Sequence, residues 1–126
     1  MSEARARLLV VDDEPAFTRF VEFVAESIGF EVRSLHDGNE VEAVLAAWTP
    51  GVIMLDIEMP GHDGLGLLGI LAAQKFAGPV IVISGAPPEY LQMTGASAKV
   101  RGLNLAAIRS KPIRKQALAE LLDRFK

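Results

Sequence analysis

Acidic, hydroxylic and basic side chains stand at the ends of short apolar runs in this chain, and together their types define a chemistry. Leu8–Val11 ends in Asp12, Asp13 and Glu14. Val52–Leu55 ends in Asp56, Val80–Ile83 ends in Ser84, and Ala106–Ile108 is soon followed by Lys111-Pro112. Short apolar runs bounded by turn signals read as buried parallel strands. An open parallel sheet binds its ligands outside the carboxyl ends of the strands. Strands laid side by side would bring carboxylates, a hydroxyl and an ammonium to one edge, which suits a divalent cation and a phosphoryl group. A carboxylate is a poor nucleophile toward a phosphoryl donor because both are negative, and a bridging magnesium ion removes that repulsion. Magnesium takes oxygen ligands and keeps several waters, and Asp12, Asp13 and Asp56 supply such oxygens. The plainer alternative for Asp12 or Asp13 is a cap on the following helix.

Five strand–helix alternations must position these residues. Leu8–Val11 is the first strand. A helix follows, with Pro15 suited to its first turn, Phe17, Phe20, Val21, Val24 and Ile28 at helical spacing, and Gly29 as its stop. Phe30, Val32 and Leu35 read as the second strand and His36-Asp37-Gly38 as a turn. Asn39 with Glu42 forms a possible capping pair for a helix running to Trp48, which Pro50-Gly51 breaks. Val52–Leu55 is the third strand. A loop containing Pro60, Gly61 and Gly64 leads to a helix ending near Lys75, in which Asp63 suits a cap better than a ligand. Gly66 and Gly69 inside that helix cost roughly 1 kcal/mol each relative to alanine and read as close-packing positions. Gly78-Pro79 opens the fourth strand, Val80–Ile83, and Pro87-Pro88 begins a helix to about Val100 that Gly95 weakens. A short fifth strand, about Leu105–Ile108, precedes a final amphipathic helix over Arg114–Phe125. The pattern predicts right-handed crossovers and a parallel sheet covered on both faces.

Composition narrows the class. The chain has 126 residues, 50% of them hydrophobic and 23% charged, which matches one folded domain with a single core. A formal charge of −3 gives no electrostatic reason to expect nucleic-acid binding. No apolar stretch approaches a membrane span, and the polar stretch Met1–Arg7 is no signal peptide. With no cysteine there is no disulfide, thiolate metal site or thiol nucleophile. A cytoplasmic location is the default expectation.

The segments Val10-Val11-Asp12-Asp13-Glu14-Pro15, Leu55-Asp56-Ile57-Glu58-Met59-Pro60-Gly61-His62-Asp63-Gly64, Ile83-Ser84-Gly85 and Ser110-Lys111-Pro112-Ile113 occur in order along nearly the whole chain. In these the sequence resembles the receiver domains of two-component response regulators, the CheY-like family. The resemblance implies a flavodoxin-like three-layer α/β sandwich, with a five-stranded parallel sheet of order 2-1-3-4-5 and five helices. It implies that residues 1–126 form one receiver domain without an effector domain, either standing alone or cut from a longer regulator. Asp56 would be the phosphoacceptor, taking its phosphoryl group from a histidine kinase or histidine phosphotransferase. An ionised group at the end of a buried strand also needs a partner or a cation; the plainer reading of Asp56 is a cap in the loop. Magnesium would be held by Asp12, Asp13, Asp56 and the backbone carbonyl of Glu58. Lys111 would pair with Asp56 at rest and with a phosphoryl oxygen afterwards, and the Ser84 hydroxyl would donate to a phosphoryl oxygen. The Lys111-Pro112 bond would be cis. Phosphorylation would bias the surface of the fourth helix, fifth strand and fifth helix toward an unknown downstream protein, and homodimerisation is possible.

Departures from the family pattern concern output. Many receivers carry an aromatic residue three positions before the lysine, where this chain has Ile108. Gly85 replaces a common alanine and should loosen its loop, while Glu58 and Ala86 sit where side chains tend to control water access. His36 and His62 have no partner at metal-ligand spacing. Trp48 and the group Phe17, Phe20 and Phe23 read as packing, and Arg109, Lys111, Arg114 and Lys115 form a small basic cluster. The usual signature of an interaction module of this fold is loss of an acidic residue or the lysine, and none is lost here. A magnesium-dependent phosphohydrolase would need a substrate pocket and a cap domain. A flavin-binding relative would want a phosphate loop where this chain has three acids.

Overall fold

The three central strands carry continuous apolar runs, Leu8–Val11, Val52–Leu55 and Val80–Ile83, because both of their faces are covered there. In the computed structural model, which describes residues 5–59 and 62–126, with the backbone alone at 62–65, five strands form one parallel sheet. They are β1 (Ala6–Val11), β2 (Phe30–Leu35), β3 (Val52–Leu55), β4 (Pro79–Ser84) and β5 (Asn104–Ser110), in the order β2-β1-β3-β4-β5. The helices are α1 (Pro15–Ser27), α2 (Val41–Ala47), α3 (Gly64–Ala73), α4 (Pro88–Val100) and α5 (Lys115–Asp123). Side chains alternate across the sheet. Leu9, Val11, Ile53, Leu55, Val80 and Val82 pack toward α2, α3 and α4, whereas Leu8, Val10, Val52, Met54, Ile81 and Ile83 pack toward α1 and α5. The result is the three-layer flavodoxin-like α/β sandwich. No helix among the described residues is long and apolar enough to cross a membrane.

Several local expectations change. The turn at Pro60 and Gly61 and the capping role of Asp63 lie outside the described residues. Gly64 opens α3 instead of lying in the loop, and Glu58–Met59 pairs antiparallel with His62–Asp63 ahead of it. The capping oxygen before α2 belongs to Asp37, which accepts from the Asn39 N–H at 2.9 Å and starts a short 3-10 turn, so Asn39 and Glu42 are not the cap. Phe23 is not packing: it is 61% exposed, because α1 turns Val21, Val24 and Ala25 inward. Gly29 does end α1, with φ of +102°, a conformation that glycine adopts without strain. Gly69 packs closely, since a Cβ there would lie 3.1 Å from the Arg101 guanidinium, whereas Gly66 is on an exposed face.

The largest difference is in β5, which is longer than predicted and bulged. Val80 pairs with Leu105 but Ile81 pairs with Ala107, leaving Ala106 as the extra residue. A bulge reverses the alternation beyond it. Leu105 and Ile108 therefore both face α4, and Ala107 faces α1 and α5. A Cβ at Gly95 would stand 3.4 Å from Ile108 Cδ1 and 3.6 Å from Leu105 Cδ2, so the glycine seats α4 on this pair.

Candidate functional site

The polar residues at the carboxyl edge are placed by the same hydrogen-bond ladders that hold the strands. The Asp12 N–H donates to Leu35 O at 2.9 Å, that of Asp56 to Val11 O at 3.0 Å, and that of Lys111 to Ser84 O at 2.9 Å. Each backbone is thus fixed one step beyond the end of its strand. Asp12 and Asp56 are only 2% and 3% exposed, so their carboxylates need partners. The Lys111-Pro112 bond that leads away is cis.

Lys111 gathers the acids. Its Nζ donates to Asp12 Oδ2 at 2.8 Å, Glu14 Oε1 at 2.8 Å and Asp56 Oδ2 at 3.0 Å, matching the donor capacity of an ammonium. The ring centroid of Phe17 lies 4.3 Å from the same nitrogen. The other oxygens are fixed locally: Asp12 Oδ1 accepts from the Glu14 N–H at 3.0 Å and Asp56 Oδ1 from the Glu58 N–H at 2.8 Å. One oxygen of Asp12 therefore does local turn work while the other faces the pocket.

Carboxylate oxygens of Asp12, Asp13, Glu14 and Asp56 lie within 4.8 Å of one another. Burial would lower the pKa of Lys111, but its hydrogen bonds to Asp12, Glu14 and Asp56 outweigh that and hold it above the ordinary lysine value. Burial raises the Asp12 carboxyl above its usual range, against the lowering effect of Lys111 and the Glu14 N–H. The charge of Asp56 adds to the rise at Asp12. Four clustered carboxylates, three of them on one ammonium, leave negative charge in surplus within the cluster, and every donor is a hard oxygen. That set fits magnesium.

Ser84 ends β4 with no exposed surface. Its Oγ accepts from the Ala86 N–H at 3.1 Å and donates to Glu58 Oε1 at 3.4 Å. The structure thus gathers Asp12, Asp13, Asp56 and Lys111 in one cluster, with Ser84 joined to it through Glu58. Sequence reasoning did not place Glu14 and Phe17 against the lysine, although both fall at the start of α1 beside the acids. Other candidates stay apart. His36 Nε2 lies 2.9 Å from Thr18 Oγ1, Arg109 donates to Ile108 O at 2.9 Å, and Lys115 covers the exposed Phe23 ring at 5.0 Å.

A doubly wound sheet with acids and a lysine at its carboxyl edge defines a phosphoacceptor class of signalling domain. The chain matches the response regulator receiver domain over residues 8–123 and belongs to that family. It is 39% identical over 80 residues to the nitrogen assimilation regulatory protein NtrX of Azorhizobium caulinodans, covering 62% of this chain and 18% of that protein. It is 37% identical over 103 residues to protein-glutamate methylesterase/protein-glutamine glutaminase 3 of Rhodospirillum rubrum, covering 81% of this chain and 26% of the relative. Among solved structures, a response regulator from Colwellia psychrerythraea superposes with a TM-score of 0.81 at 26% identity, covering 96% of each chain. The matches span 17% to 36% of the length of the similar curated proteins, so the outputs of those longer chains do not transfer to this one.

Proposed function

We propose that residues 1–126 act as one receiver domain, a magnesium-dependent switch whose phosphoacceptor is Asp56. The observation that carries this reading is the three-way contact of Lys111 Nζ with Asp12, Glu14 and Asp56 inside a cluster of acids. Asp12, Asp13, Asp56 and the Glu58 carbonyl would hold magnesium, which when bound neutralises charge between the carboxylate and the incoming phosphoryl group. The Asp56 carboxylate is presented in a fixed orientation by the Glu58 N–H and the Lys111 ammonium. An Asp56 oxygen forms the new bond to phosphorus as the phosphorus–nitrogen bond of a phosphohistidine breaks, and the electron pair returns to the imidazole. The donor is a histidine kinase or histidine phosphotransferase. Lys111 then follows the charge onto a phosphoryl oxygen and Ser84 donates to another. The chain takes part in its own phosphoryl transfer and turns over no external substrate. The product biases the α4–β5–α5 surface toward a downstream protein or a second copy of the domain, and nucleic acid is not the partner of this domain.

Acetyl phosphate with magnesium tests the reading by intact mass. The expected outcome is a phosphoryl-sized gain that needs magnesium and is absent from Asp56→Asn. No gain, together with no binding of a beryllofluoride mimic, would leave an interaction module instead.

A further inference from the structure

The phosphoacceptor reading uses the backbone of Glu58 but not its side chain, whose carboxylate meets Ser84. The Glu58 N–H holds Asp56 Oδ1 at 2.8 Å, while its carboxylate accepts the Ser84 hydroxyl at 3.4 Å. A Cβ on residue 85 would lie 3.6 Å from the same Oε1, an ordinary van der Waals distance, so this carboxylate lies close beside Gly85. Ser84 is wholly buried, and its Oγ also receives the Ala86 N–H at 3.1 Å.

A hydroxyl has one proton to donate. In this state the proton of Ser84 is directed to Glu58 through a long contact, and it must turn away from that carboxylate to serve a phosphoryl oxygen on Asp56. The carboxylate is thus an anion already in place, competing for the donor that a phosphoryl group would use. It also adds like charge beside the incoming group. Because Ser84 Oγ carries the Ala86 N–H, its change of partner reaches the backbone leading into α4.

We propose that Glu58 is a positioning residue that latches Ser84 in the unphosphorylated state and opposes the phosphorylated one. The inference rests on Asp56 being the phosphoacceptor, and it fixes a sign: removing the carboxylate favours the phosphorylated state. The contact is long and Glu58 is exposed, so the effect is modest, about three- to tenfold.

The test is a titration of the full chain with beryllofluoride in magnesium, comparing wild type, Glu58→Ala, Ser84→Ala and the double variant. The expected result is tighter binding by Glu58→Ala, with most of the gain lost when Ser84 is also alanine. Unchanged or weaker binding by Glu58→Ala overturns the latch, as does a gain that survives undiminished without the hydroxyl. The Ala86 amide resonance, read without magnesium or beryllofluoride, separates the latch from the phosphoacceptor reading. Glu58→Ala should move it, and an unmoved resonance overturns the latch. Failure of wild type to bind beryllofluoride would count against Asp56 as acceptor, leaving the Ala86 resonance to decide the latch.

Discussion

The two halves of the carboxyl edge are held in different ways. At the ends of β1 and β3, Asp12 and Asp56 are buried and share one ammonium at 2.8 and 3.0 Å, with their remaining oxygens on backbone N–H groups. Across β4 and β5, Ser84 meets Glu58 at 3.4 Å, and α4 rests on Ile108 and Leu105 through a bare glycine. The first half is fixed by short charge-assisted contacts. In the second, Ser84 is held by backbone hydrogen bonds from Ala86 and Lys111, while its side chain reaches Glu58 through a longer bond and α4 is seated by packing, contacts that small changes can rearrange. On the proposed function, the chemistry falls to the first half and the response to the second, as a switch built on a two-state element requires.

Breaking the rigid half should have the largest effect. Lys111→Ala leaves buried Asp12 and Asp56 without their cation, and metal-free protein should lose about 3 kcal/mol in urea unfolding. Magnesium should restore part of that, and a loss no larger than that of a surface lysine would contradict the account. Asp13→Asn probes the surplus charge. Wild type should gain about 2–3 kcal/mol from magnesium at roughly a hundredfold excess over its Kd. The variant should lose most of that gain while being slightly more stable without metal. Equal magnesium stabilisation of both proteins would remove Asp13 from the ligand set.

The looser half yields the smallest change. Gly95→Ala gains about 1 kcal/mol of helix propensity but presses on the tips of Ile108 and Leu105. Both tips are flexible, so a net stabilisation of about 0.5 kcal/mol is expected. Slower amide exchange should accompany it in α4. Destabilisation instead would show that the α4–β5 contact is as tightly fitted as the acidic half.

Much of this division was legible in the sequence. Central strands covered on both faces must be continuous apolar runs, so the places where Leu8–Val11 and Val52–Leu55 stop marked Asp12 and Asp56 directly. Pro15 and Gly29 bounded α1 for backbone reasons that need no tertiary context. The bulge at Ala106 was not legible, because register belongs to a pair of strands and Ala-Ala carries no turn signal. Without it, alternation would put Leu105 and Ile108 on opposite faces, and Gly95 read only as a weak point in a helix. Helical spacing grouped Phe17, Phe20 and Phe23 but could not say which face was covered, so Phe23 was misplaced. The contact of Glu58 with Ser84 joins residues 26 apart in sequence through side chains alone, and no local pattern announces it.

The most direct test of the central claim is to trap the phosphorylated chain with borohydride and map the product by peptide mass. Hydride reduces an aspartyl phosphate to homoserine, so the account predicts homoserine at position 56, dependent on magnesium and on prior phosphorylation. Homoserine at position 12 or 13, or a phosphorylated protein with no reduced aspartate, would contradict it.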